Sequence, residues 1–497
     1  MLGVVRKRLA AFLALVALPV CAQEMREHQA PEKLGEVSFP ISCNPTVQRD
    51  FNRAVALLHS FSYSAAEKIF RDVGARDPQC AMAHWGIAMT QFHQLWQPRI
   101  ARDAYAVAEK EIELGIGMGA KTGQERQFLR AAGVVFQNAD SVPYESRALK
   151  YEHAMSELAA ANPKSAEIQI FYALALLGNA SPSDKQHTRQ KQAAQLLEPW
   201  FQKFPEHPGI AHYLIHAYDN AELASQGLSA ARLYSKIAPS VPHALHMPSH
   251  IFTRLGLWED SISANTAARQ AARATGDIGE ELHTMDYLVY ADLQLSRDQD
   301  AAQVLSQLQS MQSLDMRDFK IAYAATAIPI RYAVERGHWT EASAITADPQ
   351  APAEVRAHAS WAQALGFAQS GRTADARRSI EELQRLEQQL QSAGNSYWAA
   401  QVRVMKEEAM GWAAHSEDKE DEAEALLRQA AADEDSLEKL PVTPGPIIPA
   451  REQLATLLLR QGHPEAAREE FKKSLAEAPG RRGGLNGVGM ASRSRPN

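Results

Sequence analysis

The apolar positions fall into a recurring frame of a small residue, a large one four places on, and a proline eight places beyond that. Ala66, Phe70 and Pro78 fit it, as do Ala193, Leu197 and Pro205, then Gly227, Ala231 and Pro239, and finally Ala467, Phe471 and Pro479, with Gly462 at a turn between two helices. The small residue lets two helices of one unit pack closely, the large one fills the gap to the next unit, and the proline stops the second helix because it cannot continue the hydrogen-bond ladder. A spacing near 34 residues built from paired helices predicts an all-α solenoid of helical hairpins.

On these residues the chain resembles tetratricopeptide-repeat proteins. The match is strongest at 46–92 and 448–479, good at 190–272, and looser between 280 and 430, where Gly337-His338-Trp339, Ser370-Gly371-Arg372 and Ser416-Glu417-Asp418 read as turns. The chain also resembles a family of exported bacterial proteins built from such repeats. That resemblance rests on Cys80-Ala-Met-Ala-His-Trp-Gly-Ile-Ala, on His246-Met-Pro-Ser-His-Ile-Phe-Thr-Arg-Leu-Gly and on Asp286-Tyr-Leu-Val-Tyr, and implies a fold without an activity. The expected organisation is a repeat array over 46–279, degenerate repeats over 280–440, a proline-rich loop at 441–449, a last repeat at 450–480 and a disordered Gly- and Ser-rich tail at 481–497.

Length then stops being an obstacle. At 497 residues the chain exceeds one ordinary core, but a solenoid buries each unit against its neighbours. Arg6, Lys7 and Arg8 precede an apolar run from Leu9 to Val20, and small residues close it at Ala22. This reads as a secretory signal over 1–22, too short for a spanning helix, followed by a polar leader over 23–45; acylation of Cys21 is the alternative. No later segment is apolar enough to span a membrane, so the expected location is periplasmic or secreted. The net charge of −7 becomes −10 without the three basic signal residues, which argues against nonspecific nucleic-acid binding. Cys43 and Cys80 are the pair left in an oxidising compartment, and a disulfide between them is expected.

Six of the 17 histidines lie between 207 and 250. His212 and His216 are four apart, as are His246 and His250, so each pair shares one helix face. The pairs are offset by 34 residues, like Pro208 and Pro242 before them. Consecutive first helices, which line the concave surface in tetratricopeptide arrays, would thus aim four imidazoles at one patch and bind a metal. His59 and His93 repeat the same offset, and His283 opens a later helix. Asp219 and Asp286 each follow a histidine by three residues and are candidate auxiliary ligands or orienting carboxylates. His243, His84 and Trp96 are further candidates, whereas His153, His187 and His415 read as exposed. Pro248 interrupts the second pair and predicts that His246 lies in the turn before a new helix.

Nitrogen with carboxylate suits zinc, copper, iron or nickel; Met247 and Met285 nearby tilt the choice toward copper, and a two-metal site is open. No CxxC, HExxH, phosphate loop or GxSxG is present. Two expectations follow. The chain is an exported metalloprotein, oxidoreductase or hydrolase, with a small molecule or peptide in its groove; or it is a periplasmic scaffold that binds a peptide or protein partner there.

Overall fold

The computed structural model describes residues 32–95 and 102–493, so the expected signal over 1–22, with Cys21, the leader up to residue 31 and Trp96 lie outside the described residues. All regular structure among the described residues is helical. The helices pair in sequence order as antiparallel hairpins, from Gln48–His59 with Tyr63–Arg76 to Ala450–Arg460 with Pro464–Glu477, and each hairpin packs on the next. This is a helical-hairpin solenoid of the tetratricopeptide type. The frame residues sit where close packing needs them: Ala66, Phe70, Ala193, Leu197, Ala231, Ala467 and Phe471 are buried. The looser region forms hairpins too, with Gly337 and Gly371 in left-handed turns at φ +67° and +70°. Residues 441–449 are irregular and connect Glu420–Asp435 to Ala450–Arg460.

From Lys33 the leader is extended chain held against the repeats. Glu36 N donates to the Glu206 carbonyl, and the backbone of Lys33 bonds Ser240. Phe39 is buried among Phe51, Trp85, Phe128 and Phe171. Gly35 has φ +81°, and a Cβ there would lie 2.7 Å from the Glu206 carbonyl oxygen, so only glycine permits this crossing. Cys43 and Cys80 form a disulfide, with their Cα atoms 4.9 Å apart.

The expectation of a disordered tail is corrected. Arg482–Arg493 is a helix. Gly484 and Gly487 lie against Leu475 and Phe471, so glycines that read as disorder serve as points of close approach. Arg481, fully buried, ion-pairs with Glu335 and Glu452 and reaches Tyr290 at 3.1 Å. These contacts dock the C-terminal unit on the middle of the array. No helix among the described residues is long and apolar enough to cross a membrane.

Candidate metal centre

Three successive first helices carry the site. Pro208–Tyr218 opens on a proline at its first turn, where the missing N–H costs nothing, and buries all eleven residues. In the next unit Pro248 splits what would be one helix into Pro242–His246 and Pro248–Arg254. His246 therefore ends one short helix instead of lying in the turn, which falls at Met247, and His250 sits in the next helix, which opens at Pro248 as expected. The third helix, Ile278–Gln294, contributes His283.

The quartet read from the sequence is divided between two trios. His212 and His216 meet His243, and His246 and His250 meet His283; within each trio one nitrogen per ring lies within 4.8 Å of the others. The trios adjoin, with ring centroids 6.1 Å apart for His216 and His250 and 6.0 Å for His243 and His246. All six residues are buried, at most 7% exposed. The histidines expected on the concave surface form a buried layer: Phe61 packs on His212, His216 and His243, and Lys439 arrives from 220 residues away beside Asp219.

The hydrogen bonds at Nδ1 decide which ring nitrogens are free. His246 Nδ1 lies 2.6 Å from Asn265 Oδ1, and the Asn265 amide is oriented by its own donation to the Ser261 carbonyl at 2.8 Å. His250 Nδ1 lies 2.9 Å from Asp219 Oδ2. His212 Nδ1 lies 2.6 Å from the His59 carbonyl. Each partner is an acceptor, so each Nδ1 carries the proton and each Nε2 keeps its lone pair. Yet His246 and His250 face each other Nε2 to Nε2 at 3.0 Å, and His212 and His216 do so at 3.1 Å. Two ligand nitrogens on one tetrahedral ion sit about 3.3 Å apart for metal–nitrogen bonds near 2.0–2.1 Å.

Placing a shared proton in the His246–His250 contact is disfavoured by burial. Burial, reinforced by neighbouring imidazoles, holds His212, His216, His246 and His283 well below the usual histidine range. Burial lowers His250 too, against the opposing pull of Asp219. Neutral rings with inward lone pairs are what a metal ion requires.

The surrounding shell is charged and aromatic. Burial alone would raise the Asp219 carboxyl, but Lys439, His250 and Arg254 hold it well below its ordinary value. Glu280 lies 3.2 Å from His243 Nδ1 and ion-pairs with Lys320. Tyr234 stacks on His212, and Tyr287 OH lies 3.4 Å from His250 Nε2.

The remaining candidates separate from the trios. His59 gives its carbonyl to His212, while its ring binds Glu167 at 2.9 Å and Tyr213 at 3.0 Å. Glu167 also meets His207 at 3.0 Å, forming a third buried cluster of His59, Glu167 and His207. Gly209 makes room for it, since a Cβ there would lie 2.6 Å from the His59 ring. His93 binds the Thr90 carbonyl and stacks on Tyr63, and it belongs to neither trio. Asp219 does orient an imidazole, that of His250 in the next unit rather than that of His216 three residues before it. Asp286 does not: Arg331 takes it at 3.1 Å, and burial raises its carboxyl even beside that guanidinium. His84 pairs with Glu111, and Met247 and Met285 belong to apolar core. His153 is exposed and His415 half-buried, but His187 is buried near Glu222 and Glu438, against its reading as a surface residue. The spacing of His243, 31 residues after His212, falls outside the 34-residue echo, and Asn265 and Lys439 leave no sequence signal at all.

Neither a protein-family model nor a curated protein matches the chain. Among solved structures it is similar to a Rap protein complexed with competence and sporulation factor, at 10% identity and a TM-score of 0.40, covering 91% of this chain and 100% of that one. It is also similar to an IFIT1 monomeric mutant with a capped RNA, at 11% identity and a TM-score of 0.37, covering 91% and 96%. The Cut9–Hcn1 hetero-tetramer of APC/C gives 12% identity and a TM-score of 0.36, covering 90% and 76%. These likenesses are low, and the fold assignment rests on the hairpin pairing itself.

Proposed function

We propose that this helical solenoid is an exported metalloprotein whose two adjoining trios, His212/His216/His243 and His246/His250/His283, each hold one transition-metal ion. The observation that carries the reading is the His246–His250 contact. Both rings are locked as Nδ1–H tautomers, and their lone pairs face each other at 3.0 Å in a buried site. Such a contact is repulsive unless a cation sits between the nitrogens.

Three imidazoles per ion, with carboxylates held one shell out, favour copper or zinc over iron, which commonly takes a carboxylate directly. Three protein donors leave a coordination position open, the arrangement of catalytic rather than structural sites. When bound, two such ions would supply Lewis-acid or redox chemistry to a small molecule. The chain's own residues do the positioning: Asn265 and the His59 carbonyl fix ring orientation, Asp219 raises the basicity of His250, and Phe61, Tyr234 and Tyr287 exclude water. Burial of all six rings speaks against the scaffold alternative, in which the same histidines would be polar contacts to a peptide or protein partner in the groove. A disulfide suits the oxidising compartment to which a secretory signal would deliver the chain.

Metal analysis of the mature protein tests this. Two ions per chain are expected, one after His246→Ala with His250→Ala, and one after His212→Ala with His216→Ala. A folded protein that stays empty after incubation with copper and zinc salts would sink the proposal.

A further inference from the structure

A cavity of about 160 Å³ lies beyond the second trio, roofed by residues 443–449 of the proline-rich loop. Its walls include Tyr323, Trp361, Tyr397 and Trp398, and its lining also contains Glu408 and Glu434. The charges around it are unevenly matched. Arg254 and Lys439 are bound to Asp219, Lys185 to Glu438, and Arg451 to Asp435 and Glu470, so each lining cation named here is already neutralised by an ion pair. Among the described residues, Glu408 and Glu434 close no ion pair. Glu408 is 3% exposed, and its Oε2 accepts the Trp361 indole N–H at 2.6 Å. Glu434 accepts the backbone N–H of Ala450 at 2.8 Å.

From this placement we infer that the cavity binds an organic ammonium ion carrying an apolar or aromatic body, with its charge toward Glu408 and Glu434 and its body among the tryptophans and tyrosines. Aromatic faces attract a desolvated cation, and a buried carboxylate without a basic partner lacks the charge that would offset its own desolvation. An anionic ligand meets the opposite situation, two carboxyl groups and cations already taken. Burial pushes both carboxyls up: Glu408 well above its ordinary value, with Glu434 adding to the rise, and Glu434 to about 7, with Asp435 adding to the rise against the pull of Arg481 and Arg451. The inference goes beyond the metal reading and does not need it.

The test uses the full mature chain, as purified and after chelation, titrated by calorimetry and tryptophan fluorescence with phenethylamine, phenylacetate and 2-phenylethanol. Phenethylamine is expected to bind in both preparations, at least about tenfold more tightly than either neutral or anionic analogue, corresponding to the roughly 1–2 kcal/mol of a desolvated cation–π contact. Glu408→Gln keeps the shape and should cost the amine about tenfold in affinity while leaving 2-phenylethanol unchanged. Glu434→Gln should act in the same direction and decides the matter if the first variant does not fold. Phenylacetate binding as tightly as the amine, no response to the amine, or variants that bind it as well as wild type would overturn the inference. Amine binding that disappears on chelation would move the ligand to the histidine centre and overturn it as well.

Discussion

His358 and His246 are both buried histidines on the first helices of their units, yet they meet opposite fates. His358, in the helix Ala353–Gln369, places Nδ1 2.8 Å from the Glu354 carbonyl one turn back, and its ring packs on Tyr323 and Trp398. Its own helix satisfies it. His246 spends its Nδ1 on Asn265 and presents Nε2 to the Nε2 of His250. The first arrangement is complete without a ligand; the second, on the proposed reading, is completed by a metal ion. Burial and a histidine are common to both, so neither marks a metal site. The mark is the second nitrogen and what it faces.

The comparison breaks most visibly on metal removal. An ion that binds only the folded state adds about 4 kcal/mol at a thousandfold excess over its Kd. Chelation should therefore lower the melting temperature of the wild type by many degrees and leave that of a four-histidine variant, His212, His216, His246 and His250 all to Ala, nearly unchanged. Equal shifts in both proteins would detach the stabilisation from the trios.

Acid sharpens the contrast from the other side. Burial lowers His358 to about 4. Between that value and the unfolded value near 6.5 the unfolded chain binds a proton that the folded chain refuses, so stability is lost as pH falls through this window. His358→Leu should remove up to about 3 kcal/mol of that slope, read from denaturant melts at pH 7 and pH 4.5. It should leave metal content at its wild-type value. Loss of metal in this variant would mean that a satisfied histidine matters as much as a facing pair.

A smaller effect is expected one shell out. Asn265→Leu removes the acceptor that fixes His246 and should weaken metal binding by about 10–100-fold, or about 1–3 kcal/mol, in a competition titration against a chelator. Unaltered affinity would show that the His246 tautomer is not set by Asn265.

The fold was legible because its rules are local. A small residue, a large one and a proline recur at fixed offsets, and each offset has one packing meaning. The tail was not, since Arg482–Arg493 is held by Arg481 and Arg482 reaching residues nearly 150 or more positions away, such as Glu335 and Asp298. The two i,i+4 pairs were legible for the same reason as the hairpins. Their division into trios was not, because His243 and His246 share one short helix, Pro242–His246, yet join opposite trios. Nor could spacing show that the layer is buried, since Phe61 and Lys439 cover it from elsewhere in the chain.

The central claim is positional, and anomalous diffraction from crystals of the metal-loaded protein, collected at the copper or zinc edge, addresses it directly. The account predicts two separate peaks, one bounded by His212, His216 and His243 and the other by His246, His250 and His283. Loaded crystals with density at neither position, or with the ion bound only at His59, Glu167 and His207, would contradict it.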